Sequence, residues 1–234
     1  MLFVKSRQLV IPGNLLAKGD YAAGENVYKE RDGFYASKVG LVNFENQVIH
    51  VIAVEGVYLP SANDLVVGKV VSVGLSEWVV DINSPYSGVL FVSQTSRRSF
   101  DSRKDNLMDI LDVGDVIVAN ILEFDRTRDP RITIQGHELG KVTSGYVVKV
   151  TPTKIPRLIG KRGSMIKLIK SSTGCQITVG QNGFILVRGK RVEDEALAVE
   201  VIRMIERDAH TSGLTNKVGE FIEKRKRGGM TGSE

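Results

Sequence analysis

IPRLIGKRGSMIKLIKSSTGCQITV, residues Ile155–Val179, is the stretch whose reading decides the fold. Its centre is Gly160-Lys161-Arg162-Gly163, set directly before an amphipathic helix. Two glycines allow a sharp turn and a close approach of backbone to another molecule. The two cations between them stand at a helix N-terminus, where unpaired N–H groups and the helix dipole already favour anions. That combination suits a sugar-phosphate backbone. Ile166 and Ile169 place apolar residues on one face of the helix, and Thr173-Gly174 ends it. A strand at Cys175–Val179 follows, then a turn at Gln181–Gly183, a strand at Phe184–Val187 and a long helix.

This order resembles the KH domain, whose GxxG loop clamps about four nucleotides of single-stranded nucleic acid. The resemblance implies a type I arrangement, βααββα, that begins with a strand at Gly145–Val150. Val192–Asp208 is the last helix. Val192, Ala196, Val199, Ile202 and Ile205, joined by Leu197 and Met204, recur at three- and four-residue steps and predict the face that covers the sheet. Lys161 and Arg162 are the expected phosphate contacts, Gly160 and Gly163 permit the approach, and Arg157 and Lys167 flank the loop. Leu158, Ile159, Ile166 and Ile169 either floor a base groove or fill the core, with core expected for at least two of them.

Working back along the chain, Val66–Val73, Glu77–Ile82, Gly88–Ser93, Val116–Phe124 and Arg131–Gln135 read as five short strands. One longer, charged connection at Gln94–Asp105 and a helical turn near Asn106–Leu111 interrupt them. Five such strands match a small closed barrel of the OB type. GKVVSV, WVVDI, SGVLFVSQ, VGDVIVANILEFD and RITI, in that order, resemble the S1-type RNA-binding domain. In that pattern Phe91 is the expected stacking platform, and Asp125 and Arg131 hold acidic and basic face positions. Ser76 and Val79 stand where aromatics often occur. Trp78 alternates with Val80 and is expected inside the barrel. Tyr86, in a loop, is open to either role. Arg97, Arg98, Arg103 and Lys104 either track phosphates or form a solvated loop.

Before Tyr58 the chain reads as short strands and turns: Leu9-Val10-Ile11 stopped by Pro12-Gly13, then Phe34–Val42 and Gln47–Val54 with a turn near Glu45-Asn46. No helical period is sustained, and sixty residues make a marginal core. The expected boundaries are 1–60, 61–140, 141–210 and a basic, flexible tail at 211–234 that contains a weak helix at Leu214–Glu223 and Lys224-Arg225-Lys226-Arg227. The fold class is α+β and multidomain: a β-rich N-terminal domain, an S1 barrel and a KH domain.

Charge divides along the same line. Residues 1–140 hold 14 Lys/Arg and 18 Asp/Glu, a balance of −4, whereas residues 141–234 hold 18 and 9, a balance of +9. The polyanion-binding signal therefore sits in the C-terminal part. One cysteine, Cys175, excludes an internal disulfide framework and reads as a packed core thiol. The scattered His50, His137 and His210 give no zinc spacing. No apolar run is long enough to span a bilayer, and MLFVKSRQ lacks the core of a signal peptide, so a cytoplasmic location is expected. Asp101, Asp105, Asp109 and Asp112 could place carboxylates on a helical face, but nothing basic or aromatic frames them as a substrate site. No nucleophile–base arrangement, Walker A sequence or HExxH is present. No cofactor and no metal site are expected.

A β-rich segment, then S1, then KH, resembles the S1/KH RNA-binding cap subunit of the archaeal exosome. LVIPGNLLAKG, GFYASKVG, Val57-Tyr58-Leu59-Pro60, WVVDINSPYSGVL and IGKRGSMI carry the resemblance over nearly the whole chain. Asn63 departs from it, standing where a glycine is expected before Asp64. The resemblance implies a non-catalytic subunit, three copies of which cap a hexameric ring of RNase-PH-like subunits. The N-terminal domain docks on the ring, the S1 domains surround the pore, and the cap passes the 3′ end of single-stranded RNA, A-rich RNA among them, to a phosphorolytic exonuclease. A free-standing S1/KH regulator or translation-associated factor is the alternative reading, and an assembly adaptor that no longer binds RNA is a third.

Overall fold

Short apolar runs cut by Gly, Asn and Asp make the described residues up to Phe91 strands and turns. The computed structural model describes residues 1–54, 56–95, 106–209, 211 and 213–229. It separates into two units, Met1–Gly56 and Val57–Glu234.

In the first unit, β1 (Leu9–Val10), β2 (Leu15–Lys18), β3 (Ala22–Ala23), β4 (Val27–Glu30), β5 (Gly33–Ala36), β6 (Gly40–Glu45) and β7 (Val48–Ala53) form two small sheets. Their orders are β1-β6-β7-β3 and β2-β5-β4. Leu16, Phe34, Val42, Ile49 and Val51 lie among the buried residues of the core. Phe34–Val42, expected as one strand, is two. β5 pairs with β2 and β4 in one sheet, β6 with β1 and β7 in the other, and residues 37–39 carry the chain across. Asn46 and Gln47, at φ 45° and 65°, make the tight turn between β6 and β7, the left-handed pair that matches strand twist in a two-residue hairpin.

The second unit begins with the barrel: β8 (Leu65–Val73), β9 (Glu77–Asp81), β10 (Gly88–Phe91), the turn of helix α1 (Leu107–Ile110), β11 (Val116–Glu123) and β12 (Arg131–Thr133). β12 runs antiparallel to β11 and parallel to β10, which closes the five strands and leaves no free edge among them. Trp78 is fully buried as expected, and its indole N–H donates to the Leu111 carbonyl at 2.8 Å, tying the turn after α1 to the barrel core. Tyr58 packs in the same core and donates to Asp64 at 2.8 Å. Burial, then that bond and the Asp64 charge, push the Tyr58 phenol well above its ordinary value, so it stays a donor. Asn63 adopts φ 70°, which explains the glycine expected there; asparagine tolerates that backbone too. A two-residue strand, β13 (Gly140–Lys141), extends β11 beyond what the pattern predicts.

The KH fold follows as β14 (Tyr146–Lys149), α2 (Ile155–Ile159), α3 (Ser164–Thr173), β15 (Gln176–Val179), β16 (Phe184–Arg188) and α4 (Val192–Arg207), with an antiparallel sheet ordered β14-β16-β15. Cys175 is buried in its core, and burial pushes the thiol up, so the residue packs as a small apolar group. Two expectations are corrected here. The buried face of α4 is Ala198, Val201, Ile202 and Ile205 rather than a stripe starting at Val192, which is 76% exposed. The first turn instead folds Glu195 back to accept the Gly189 N–H at 2.8 Å, and the apolar stripe starts only after it. The stretch expected as a flexible tail with a weak helix at Leu214–Glu223 carries a longer, packed helix, α5 (Leu214–Gly229). Leu214, Val218 and Ile222, four residues apart, are buried in the KH core, and packing supplies the stability that local propensity does not.

The barrel and the KH sheet meet around a buried amide. Asn182, fully buried in the β15–β16 turn, donates to the Val67 and Ile82 carbonyls at 2.6 and 2.9 Å, and its Oδ1 accepts the Val67 N–H at 3.3 Å. Around it, Gln181 N–H donates to Leu65 O at 2.8 Å and Asn83 Nδ2 to Asn182 O at 2.7 Å. Val67, Val118 and Leu186 form the apolar centre of this joint. Replacing Asn182 with Ala leaves the Val67 and Ile82 groups unpaired, so a loss of about 2–4 kcal/mol is expected by urea denaturation. Asp at the same position costs more, because a carboxylate cannot donate to two carbonyls and its charge would be buried.

Candidate nucleic-acid interface

The GKRG loop is built by backbone conformations that side chains resist. Gly160 sits at φ 73°, ψ 172°, a region essentially reserved for glycine. A Cβ there would meet the Met165 backbone nitrogen at 2.9 Å. Arg162, at φ 52°, is left-handed despite its side chain, and Gly163 follows at φ 75°. The Gly163 N–H closes the turn on Gly160 O at 3.1 Å. Lys161 and Arg162 are thrown outward and exposed. No side chain caps the start of α3, and its first N–H, that of Ser164, is taken by the Lys161 carbonyl.

Lys167 lies one turn into α3, with its stem within 3.9 Å of the position a Gly163 Cβ would take, so its charge belongs to the loop. Arg157 is exposed on α2, and its Nε donates to the Ala209 carbonyl at 2.7 Å. Of the four apolar candidates, Leu158 and Ile169 are buried core, while Ile159 and Ile166 stay partly open.

The barrel carries a second patch, an open cavity of about 590 Å³. Phe91 is on its wall with the Arg131 guanidinium 5.1 Å from the ring centroid. Arg131 also pairs with Glu123 at 2.9 Å. Tyr86 packs edge-on against Phe124 at 4.7 Å, and Phe124 lines the cavity. Asp125 holds the turn between β11 and β12: its Oδ1 accepts the Thr127 hydroxyl at 2.7 Å and amide at 2.9 Å. Those two bonds, the hydroxyl first, hold its carboxyl below the usual range. Arg128 and Asp129 complete the rim. Phe124 and Arg128 were not singled out from the sequence; Phe124 read as the end of a strand, and only the closed barrel turns it toward Phe91. Arg97, Arg98, Arg103 and Lys104 lie outside the described residues, as do Asp101 and Asp105.

The two patches differ electrostatically. The loop presents cations alone, whereas the barrel cavity sets Arg128 and Arg131 among Glu77, Glu123, Asp125 and Asp129. The first attracts phosphate; the second offers aromatic faces with little net attraction for a polyanion.

Residues 7–55 match the family model described as the exosome RNA-binding protein RRP4 N-terminal domain, residues 57–123 the RRP4 S1 domain, and residues 145–193 a KH domain. The exosome complex component Rrp4 of Thermococcus kodakarensis is 43% identical over 97% of this chain and 89% of the relative. This chain belongs to the Rrp4 family. The Rrp4 of Methanothermus fervidus is 45% identical over 95% of the chain and 98% of its own length. A crystal structure described as an exosome complex RNA-binding protein superimposes with a TM-score of 0.70 at 42% identity, covering 74% of this chain and 98% of that one. Among the described residues no helix is long and apolar enough to cross a membrane.

The two loop glycines of this Rrp4 family member are not equivalent. Gly163→Ala meets only ordinary contacts with Ile166 and Lys167, at 3.8 and 3.9 Å, so the left-handed backbone alone opposes it, a cost of about 1–2 kcal/mol. Gly160→Ala adds a clash with Met165 and is expected to lower the thermal midpoint distinctly further.

Proposed function

We propose that this chain is a non-catalytic RNA-binding cap subunit of an exosome. It captures single-stranded RNA, A-rich RNA among its substrates, and guides the 3′ end toward an RNase-PH-like phosphorolytic ring in the cytoplasm. The observation that carries this reading is the GKRG loop: two exposed cations between two left-handed glycines, at the uncapped start of α3, in a chain with the domain order of Rrp4. Lys161 and Arg162 neutralise phosphate, Gly160 and Gly163 let the backbone approach, and Lys167 and Arg157 add attraction. On the barrel, Phe91 and Tyr86 offer weaker, sequence-tolerant stacking, with Arg131 held against the Phe91 ring and Asp125 shaping the rim. Three copies on one ring would raise the effective concentration of these weak sites.

The first unit supports a docking role. Leu9, Leu41 and Ile52 pair side by side across β1, β6 and β7, and all three are exposed. A row of large apolar side chains open to water on a small domain suits burial against a partner.

Two measurements check the reading. Lys161→Glu/Arg162→Glu is expected to weaken single-stranded RNA binding at least ten-fold and to flatten its salt dependence; unchanged affinity at every salt concentration would remove the loop from the account. Co-purification followed by intact mass should recover RNase-PH-like subunits, three copies of this chain to six, with the full chain. Leu41→Glu/Ile52→Glu, or removal of residues 1–58, should abolish that recovery. RNA-binding monomers from every version would instead favour the free-standing regulator.

A further inference from the structure

The cationic surface of the KH domain continues past the GKRG loop. Lys154, immediately before α2, and Arg157 are three residues apart and share one side of that helix. Five residues of α2 rise about 7 Å, so this side leads from the loop at the C-terminal end of α2 to its N-terminal end. The Arg157 bond to Ala209 ties it to the end of α4. There it meets a groove of about 620 Å³ lined by α4, α5 and Lys154.

Four cations, Lys154, Arg203, Arg207 and Arg225, line this groove against two carboxylates, Glu200 and Glu206. Each carboxylate is held by a partner but keeps its charge, so the lining carries two cations in excess. Glu206 Oε1 accepts the Thr151 N–H at 2.8 Å and hydroxyl at 3.0 Å. Glu200 pairs with Arg225 at 3.0 Å, and the Arg225 guanidinium also lies 5.9 Å from the Phe221 ring centroid, which holds it in place from two sides. Arg207 pairs with Asp208 at 3.0 Å. Lys154 and Arg203 form no ion pair among the described residues. A groove with two free cations and a third pre-placed attracts a polyanion.

We propose that the groove between α4 and α5 is a second phosphate-binding site, which takes nucleotides of single-stranded RNA flanking those held at the GKRG loop. Lys154 and Arg203 contact phosphate, and Arg225 is the pre-placed third cation. RNA is favoured over an acidic peptide because the groove continues from the loop through Lys154 and Arg157, one strand's path along one face. The proposal rests on the loop being an RNA site.

Fluorescence anisotropy with the full chain tests it, using a four-nucleotide RNA, the length such a loop clamps, and one of about twelve nucleotides. Lys154→Ala/Arg203→Ala should bind the short RNA as the parent does. On the longer RNA it should lose about ten-fold, with the log–log salt slope reduced by about 2. A thermal melt confirms the fold; if it shifts, Lys154→Gln/Arg203→Gln repeats the test with the polar surface kept. Unchanged affinity and slope on the longer RNA, or an equal loss on both RNAs, would overturn the proposal. So would polyglutamate competing as well as RNA for the parent chain but not for the variant. A Lys161→Glu/Arg162→Glu chain that binds both RNAs normally would remove the loop reading, while a loss in the groove variant alone would keep the groove as an independent RNA site.

Discussion

The joining of the barrel to the KH domain turns on one buried side-chain amide. Asn182 closes a β-turn of the KH sheet, yet each of its side-chain bonds goes to the barrel, to Val67 and Ile82. Only a carboxamide supplies an acceptor and two donors at one carbon. Apolar contact surrounds it, with Val67, Val118 and Leu186 at its centre and Leu65, Val116 and Phe184 among the residues packed against them. Apolar packing is non-directional and would tolerate sliding of one domain over the other; buried hydrogen bonds to backbone do not, because any displacement leaves carbonyls unpaired. The joint therefore fixes an orientation as well as an attachment, and the barrel and KH domain form a single unit.

The loop shows a different balance. Gly160 and Gly163 satisfy their unusual backbone at no steric cost, but Arg162 at φ 52° carries about 1–2 kcal/mol of strain that an L-residue would avoid elsewhere. The turn retains it because Gly160 before it and the α3 start after it fix both ends. The outcome is two adjacent cations turned outward at the start of α3. In the barrel the same chain surrounds its arginines with carboxylates, so what remains there is aromatic surface. One domain is suited to holding a backbone, the other to meeting bases without strong attraction.

Much of this was legible in the sequence where local chemistry decides the outcome. Glycine pairs, Asp- and Asn-rich turns and β-branched runs marked all five barrel strands and the βααββα order, because turns and alternation are properties of a few consecutive residues. The misread features depend on distant partners. The phase of α4 was misjudged because Val192 and Ala196 fit the helical period as well as Ala198 does, and only the position of the sheet beneath decides between them. The C-terminal helix was legible as a weak one at Leu214–Glu223, but its extension to Gly229 and its packing in the KH core were not, because they depend on the rest of that core. Asn182 sits in a stretch, GQNG, that reads as an ordinary turn, and nothing local reveals that its amide reaches Val67, 115 residues earlier. Phe124 and Arg128 share that origin: barrel closure, a long-range event, brings them beside Phe91.

The rigid joint bears on how weak sites combine. Linking binding patches by a flexible tether raises their effective concentration only as far as the tether's many conformations allow. A fixed joint removes those conformations in advance, so a strand that fits the spacing pays no ordering entropy for the protein, and a strand that does not fit gains nothing from the second patch. Within the KH domain the same logic applies at shorter range, since α2 is a stiff spacer between the GKRG loop and the groove at Lys154. On the proposed reading, an extended single strand reaches successive phosphate sites along one helix side. On that reading base identity is secondary, since the proposed contacts are to phosphate and the aromatic platform is set among carboxylates.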